Sequence, residues 1–379
     1  MTTPVPTDIY RNLAPLVARK NRLSSRTREF HRRLPGYEPS PVVDLPGVAQ
    51  LLDVEKVTAK IETSRYGLPA FKILGASWAI YRELCRRIPG LESRWSTLDD
   101  LRRETESLGG ITFVAATDGN HGRAVAHMAS LLGQQSHILV PAGMAPARIR
   151  AIESEGATVT VIDGTYDDAI AASARMADDT HLVISDTSWE GYSDVPLDVV
   201  DGYSTIFTEV EDQLPDLPTH LVVQMGVGSL GTAAIRAAMK WDAKVVSVEP
   251  EGADAILASL REKRPVEVPG PHTSIMAGLN CGAPSQIVWD ELWTGIDLAV
   301  AIPDDAAREA MRVLADAGIV AGETGAAGLG GILALAEMDD WQATRKSLKL
   351  SPRSHILLLI TEGATDPAAW EEITGRTLE

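Results

Sequence analysis

Short runs of consecutive apolar residues recur along this 379-residue chain. Each is followed by a turn rich in Gly, Pro, Asp or Asn, and then by apolar positions at three- and four-residue spacing. The runs predict strands at 57–61, 111–115, 137–141, 156–162, 181–184, 221–225, 245–248 and 356–360. The stretches between them predict helices after Lys72 (76–84), over 123–132, 146–155 and 232–240, around 169–177, and a short one at 48–52. Apolar strands alternating with helices mean parallel sheets covered on both faces, an α/β fold. Residues 1 to about 40 are polar and Arg-rich and give no strand signal; Pro39, Pro41 and Pro46 mark an irregular lead into the short helix at 48–52. No repeat, low-complexity tract or linker divides the chain, so two domains in a chain of this length would have to be interleaved.

Charge and cysteine content remove several function classes. The formal charge of −17 argues against a nucleic-acid partner, because phosphate backbones are met by clustered Lys and Arg. The arginines from Arg26 to Arg33 are the nearest approach to a basic patch and read as one face of a helix or a subunit contact. Two cysteines, Cys85 and Cys281, cannot build a disulfide framework and fit a reducing compartment. The first residues carry no apolar signal core and no apolar run reaches membrane-spanning length, so a cytoplasmic protein with no membrane partner is expected. No residues are singled out as metal ligands.

Four stretches carry chemistry. Lys72, in Tyr66-Gly67-Leu68-Pro69-Ala70-Phe71-Lys72-Ile73-Leu74-Gly75, opens a helix among apolar neighbours. A lysine so placed loses hydration of its charged form and can serve as a nucleophilic amine of the Schiff-base kind; the plainer alternative is a lysine snorkelling to water. Thr117-Asp118-Gly119-Asn120-His121-Gly122 joins the 111–115 strand to the next helix. Its glycines admit a ligand to the backbone and the helix N-terminus offers N–H groups to a carboxylate or phosphate, an ordinary capped turn being the alternative. Gly226-Val227-Gly228-Ser229-Leu230-Gly231 follows a strand and opens a helix, the arrangement of a phosphate cradle. It also satisfies G-x-G-x-x-G, with Glu249 near the end of the next strand, so a nicotinamide dinucleotide site stays open. Ile184-Ser185-Asp186-Thr187-Ser188-Trp189-Glu190-Gly191-Tyr192 reads as a ligand-facing loop, or as a solvated one with Trp189 packed over core.

Taken in order, Phe71-Lys72, Thr117–Gly122 and Gly226–Gly231 resemble the fold-type II pyridoxal-phosphate enzymes, a superfamily that includes the serine and threonine dehydratases and the tryptophan synthase β chain. Within it the chain looks most like the diaminopropionate ammonia-lyases, from roughly residue 30 to 370. That narrower likeness rests on Tyr66–Lys72, Ala116–Arg123, Asp186–Tyr192, Ile275-Met276-Ala277-Gly278-Leu279-Asn280-Cys281-Gly282, Gly322-Glu323-Thr324-Gly325-Ala326 and Thr361-Glu362-Gly363. The resemblance implies two interleaved three-layer α/β/α domains: a large cofactor-binding one from 1–76 and 171–379, and a small one, 77–170, that closes over substrate. It implies pyridoxal 5'-phosphate held covalently by Lys72, with Phe71 near the ring and Asn120 on its phenolic oxygen. Gly226, Val227, Gly228, Ser229 and Leu230 are then the phosphate donors, Glu323 lies near the ring, and Thr361, or a hydroxyl position aligned with Ile360, faces the pyridine nitrogen. Thr117, Asp118, Gly119 and His121 receive the substrate, and Asp186 adds a second negative group beside it.

Ordinary serine dehydratases usually carry serine where this chain has Asp118. A carboxylate there can take a Cα proton from the face opposite Lys72 and attracts a positively charged substrate amine. With Lys72 and Asp186 it makes up the expected catalytic set, for α,β-elimination of D- or L-2,3-diaminopropionate to pyruvate and ammonia. The alternative is the same chemistry on serine, threonine, cysteine or hydroxyaspartate, or a β-replacement. The family commonly forms dimers, so a homodimer is expected. Ala364, where an acidic residue is expected in this branch, and Pro69 depart from its pattern.

Overall fold

The computed structural model describes residues 4–6, 8–12, 23–117 and 119–378. Its strands are β1 (Asp8–Arg11), β2 (Val42–Asp44), β3 (Lys56–Ile61), β4 (Thr112–Ala116), β5 (Gln135–Pro141), β6 (Thr158–Ile162), β7 (His181–Val183), β8 (His220–Gln224), β9 (Lys244–Pro250), β10 (Leu298–Ile302) and β11 (His355–Ile360). They form a seven-stranded sheet in the order β1-β10-β9-β8-β11-β3-β2 and a four-stranded sheet in the order β6-β5-β4-β7. Every pairing is parallel except at the two edges of the larger sheet, where β1 and β2 run antiparallel to β10 and β3. Each strand expected from the apolar runs is present, displaced by no more than two residues at either end. Three strands are absent from that reading: β10, although its Leu-Ala-Val-Ala-Ile run is wholly apolar, and the edge strands β1 and β2, of which β1 (Asp-Ile-Tyr-Arg) is half-exposed along its length and so carries no apolar run.

The chain separates into two compact units, one of Met1–Leu23, Pro39–Ser64 and Ile206–Glu379, the other of Ser24–Glu38 and Arg65–Thr205. The division differs from the expected boundaries at 76/77 and 170/171. Lys72 and Asp186, expected in the large domain, fall in the smaller unit. Packing explains the shift, because the helix Lys72–Arg87 lies along the helices Asp194–Gly202 and Asn120–Leu131, and β7 pairs with β4. Residues 24–38 join the same unit through Phe30, whose ring stacks on Tyr81 at 4.6 Å and meets Trp78 and Trp95 edge-on. The arginine-rich segment supplies a short helix, Arg26–His31.

The core of the larger unit forms because β8, β10 and β11 are buried at every position, which only a sheet covered on both faces allows. The helix Glu323–Ala336 covers one face, and its glycines let it lie close: a Cβ on Gly331 would come within 2.4 Å of a Val248 methyl. Amid this apolar packing β3 carries a buried charge. The Lys60 ammonium donates to the Ser40 carbonyl (2.7 Å), Glu209 Oε2 (2.7 Å) and Gln213 Oε1 (2.8 Å), and both partners of the ion pair are fully buried. A buried pair is costly chiefly when one partner is removed, because the remaining charge stays in low dielectric. Lys60→Met is therefore expected to destabilise the protein by about 3–5 kcal/mol, and Lys60→Met/Glu209→Leu by less. Urea denaturation of the single and double variants measures both, and a double variant no more stable than the single one refutes the assignment.

Candidate active site

In the smaller unit the chain enters the site through a tight turn. Arg65 and Leu68 exchange backbone hydrogen bonds of 2.8 and 2.9 Å, and the two residues between them, Tyr66 and Gly67, have φ of 53° and 79°. Two consecutive left-handed residues give a two-residue hairpin turn, and the Tyr66 hydroxyl anchors it by donating to the His31 carbonyl at 3.0 Å. Lys72 follows as the first residue of its helix. Its amine does not meet the apolar cage expected from Phe71, Ile73 and Leu74. Ile73 and Leu74 turn into the core, and Lys72 Nζ donates to Asp186 Oδ2 at 2.8 Å while lying 5.6 Å from the centre of the Phe71 ring.

Asp186 is buried on the loop after β7. Burial opposes its charge, but the Lys72 ammonium, His121, and hydrogen bonds from Lys72 and Tyr166 outweigh that, so its carboxyl is held well below the usual carboxylate range. The Tyr166 hydroxyl reaches Asp186 Oδ1 at 3.4 Å. Nothing in the sequence around Tyr166 marks it; only the fold brings the start of the helix Tyr166–Ala174 to this loop. The loop is pinned by Tyr192, whose hydroxyl donates to the Val183 carbonyl (2.7 Å) and accepts from the Ser185 amide (3.0 Å), with Trp189 stacked on its ring at 4.0 Å.

The turn after β4 is tied by Thr117, whose hydroxyl accepts from the amides of Gly119 (2.9 Å) and Gly122 (3.0 Å). Gly119 has φ of 152°, which favours glycine, and Asn120 and His121 begin the helix Asn120–Leu131. Asp118 lies outside the described residues. His121 is buried, with Nε2 2.8 Å from the Ile184 carbonyl. In the neutral ring that nitrogen carries the proton, and Nδ1 has no partner among the described residues. His121 is thus a packed histidine with one nitrogen left over.

The larger unit holds the other expected residues at the C-terminal ends of β8 and β11, where open α/β sheets bind ligands. Gly226, Val227 and Gly228 follow β8, and Ser229 and Leu230 begin the helix Ser229–Trp241. The first turn of a helix has amides without intrahelical acceptors and a partial positive charge. A Cβ on Gly228, at φ of 100°, would sit 2.6 Å from Leu292, and one on Gly226 would sit 3.0 Å from Cys281 Sγ. Cys281 therefore packs under the loop, and neither it nor Cys85 is in a disulfide. Gln224, the last residue of β8, was not anticipated. Its Nε2 donates to Thr361 Oγ1 (2.9 Å), the Thr324 carbonyl (2.9 Å) and the Leu359 carbonyl (3.0 Å), tying β8 to the end of β11. The hydroxyl at that strand end belongs to Thr361, buried just beyond Ile360, and by accepting from Gln224 it keeps its own proton to donate. Glu323, also buried, begins the glycine-rich helix, and Gly278 N donates to the neighbouring Thr324 hydroxyl.

Glu249 decides between the two ligands that G-x-G-x-x-G allows. Its carboxylate accepts from the amides of Ile256 and Leu257, both at 2.8 Å, and so caps the helix Ala255–Glu262. Burial pushes this carboxyl up to about 8 against the two amide bonds. A side chain so enclosed has no oxygen to offer a ribose, and the dinucleotide reading fails there. The donor set that remains is a lysine amine beside a buried carboxylate in one unit, and in the other a glycine-lined helix N-terminus with a hydroxyl donor. Each unit by itself offers chemistry that pyridoxal phosphate uses: the smaller an amine for its aldehyde, the larger amides for its dianion and a hydroxyl donor for its ring nitrogen.

A family model described as pyridoxal-phosphate dependent enzyme matches residues 33–361. The diaminopropionate ammonia-lyase of Escherichia coli K12 is 34% identical over 359 residues, 91% of this chain and 89% of that protein. The crystal structure of the Escherichia coli diaminopropionate ammonia lyase in complex with D-serine superposes with a TM-score of 0.90 at 32% identity, covering 99% of this chain and 98% of that one. The same enzyme in complex with an aminoacrylate-PLP azomethine reaction intermediate gives 0.87, at the same identity and coverage. Among the described residues no helix is long and apolar enough to cross a membrane. Sequence, fold and donor chemistry agree, and the chain belongs to the pyridoxal-phosphate dependent enzymes of fold type II.

Proposed function

We propose that this chain is a diaminopropionate ammonia-lyase, converting 2,3-diaminopropionate and water into pyruvate and two molecules of ammonia. The observation that carries the reading is the buried Asp186 carboxylate at the Lys72 amine. A carboxylate kept ionised there suits a substrate with a second ammonium group, which serine, threonine and hydroxyaspartate lack. When bound, pyridoxal phosphate supplies an aldehyde that condenses with amines and a ring that takes up the electron pair released at Cα.

The protein's own groups do the rest. Lys72 holds the cofactor, and the amides and hydroxyl of Gly226 to Leu230 receive its phosphate. Asn120, Thr361 and Glu323 fix the ring, with Phe71 packed beside it. Thr117, Gly119 and His121 receive the substrate carboxylate. Lys72 takes the Cα proton on one face and Asp118 on the other, so both configurations react. Asp186 accepts a hydrogen bond from the β-ammonium and keeps that nitrogen protonated, so that it leaves as ammonia. The Cβ–N bond breaks with its electrons on nitrogen while a Cα–Cβ double bond forms; the released enamine adds water to give pyruvate and the second ammonia. By family likeness the reading extends to a homodimer working in the cytoplasm, which sedimentation analysis and fractionation test.

Lys72→Ala is expected to lose both the visible absorbance of the bound cofactor and pyruvate release; a fully active variant sinks the scheme. Asp118→Asn should depress turnover of the D isomer most, and equal loss on both isomers refutes the two-base assignment. Asp186→Asn is expected to cost about 2 kcal/mol, roughly thirtyfold in kcat/KM, on diaminopropionate, and much less on serine. Pyruvate release from a substrate panel reads this, and wild-type activity on serine but not on diaminopropionate moves the protein to the dehydratases.

A further inference from the structure

In the larger unit the loop after β8 is supported by a short helix that the reaction as described does not use. That helix, Trp289–Gly295, packs on the helix Ser229–Trp241, whose first turn ends the loop. Three contacts join this segment to the loop itself. The Ser285 amide donates to the Val227 carbonyl at 2.9 Å. Leu292 fills the space beside Gly228, where a Cβ would come within 2.6 Å of its Cδ1, and Val288 Cγ2 lies 3.4 Å from the same point. A Cβ on Gly295 would collide with Ile235, so the two helices also touch farther along. A buried ion pair ties them together. Arg236, about two turns into its helix from Ser229, donates from Nε to Glu291 Oε2 and from Nη2 to Glu291 Oε1, both at 2.9 Å. The two side chains are 2% and 7% exposed. Two parallel bonds between a guanidinium and a carboxylate fix orientation as well as distance. Glu291 directly precedes Leu292, so the fork sets where Leu292 meets Gly228. Stability alone is a poor account of a pair this deep, because an apolar pair of similar volume serves stability as well or better.

We propose that Arg236 and Glu291 are positioning residues for the cofactor phosphate: the fork between them holds Leu292, Val288 and Ser285 against the loop, and so keeps the amides of Gly226 to Leu230 in the arrangement that receives the phosphate. This rests on the assignment of that loop to the phosphate given above. A glycine-rich backbone is the least restricted of all. Donors that must stand ready before their anion arrives therefore need a rigid support outside the loop. The helix Trp289–Gly295 is that support, and the fork fixes its register on the helix Ser229–Trp241.

The test compares pyridoxal phosphate with pyridoxal, which has the same aldehyde and ring and lacks the phosphate. Each is titrated into the full chain freed of cofactor, and the visible band reads occupancy. Glu291→Gln is expected to weaken pyridoxal phosphate about tenfold and pyridoxal by no more than about twofold. A pair that only stabilised the fold would lower the unfolding temperature and leave the ratio of the two affinities alone. Because Glu291→Gln leaves the Arg236 charge buried beside a neutral amide, Arg236→Met/Glu291→Leu is the second variant. It fills the space without a charge and is expected to unfold near the parent's temperature. It should still lose preference for the phosphorylated form, since apolar contact does not reproduce the register of the fork. A parental affinity ratio in either variant, whatever the unfolding temperature, overturns the proposal. Gly228→Ala separates this proposal from the assignment it rests on. Its Cβ would meet Leu292 and its φ of 100° disfavours a side chain, so it should lower the same ratio. A parental ratio in Gly228→Ala refutes the loop as the phosphate site, whereas a lowered one beside an unchanged Glu291→Gln refutes the positioning role alone.

Discussion

The Lys72–Asp186 pair is the constraint on which the smaller unit is built. A lysine at the first position of a helix has nothing in its own helix to hold it, and a buried aspartate has no claim to its charge without a cation. Each solves the other's problem, with the 2.8 Å contact outweighing the desolvation of Asp186. The surroundings serve that contact: the Arg65–Leu68 turn sets where the helix starts, and the glycine crossing of Gly75 and Gly202 sets how near the next helix lies. The pair is also reversible chemistry. On the proposed function, the ammonium that Asp186 holds at Lys72 is exchanged for an ammonium of the substrate, which an apolar cage around Lys72 would not permit.

The larger unit carries the groups expected to receive an anion. Its loop after β8 presents backbone amides at a helix N-terminus, with glycines where any side chain would strike Leu292 or Cys281. The fingerprint that left a dinucleotide open separates from one at Glu249, which is turned inward as a helix cap. The same acidic residue at the same strand end can thus belong to the ligand or to the protein, and only its hydrogen bonds distinguish the two.

Most of the fold was legible because it is written in local pattern: buried parallel strands read as apolar runs, and β8 and β11 could hardly be missed. Much of what escaped depends on a partner distant in the chain, although β10 escaped as a wholly apolar run. β1 is polar and becomes a strand only by pairing with β10. The unit boundary moved because Phe30, β7 and the helix Asp194–Gly202 pack against elements well removed from them in sequence. Of the site, the residues carried by glycine motifs were legible, and so was Asp186 within its loop. Tyr166 and Gln224 were not, since each enters through side-chain hydrogen bonds to residues distant in the chain, which no spacing announces.

Among the described residues, buried side-chain atoms without a partner are spread along the chain, from Arg11 to Trp370. Buried polar atoms ordinarily find partners, and local rules tend to fail where a protein has to do something. His121 and Tyr203, both in the smaller unit, each leave a buried polar atom without a partner among the described residues.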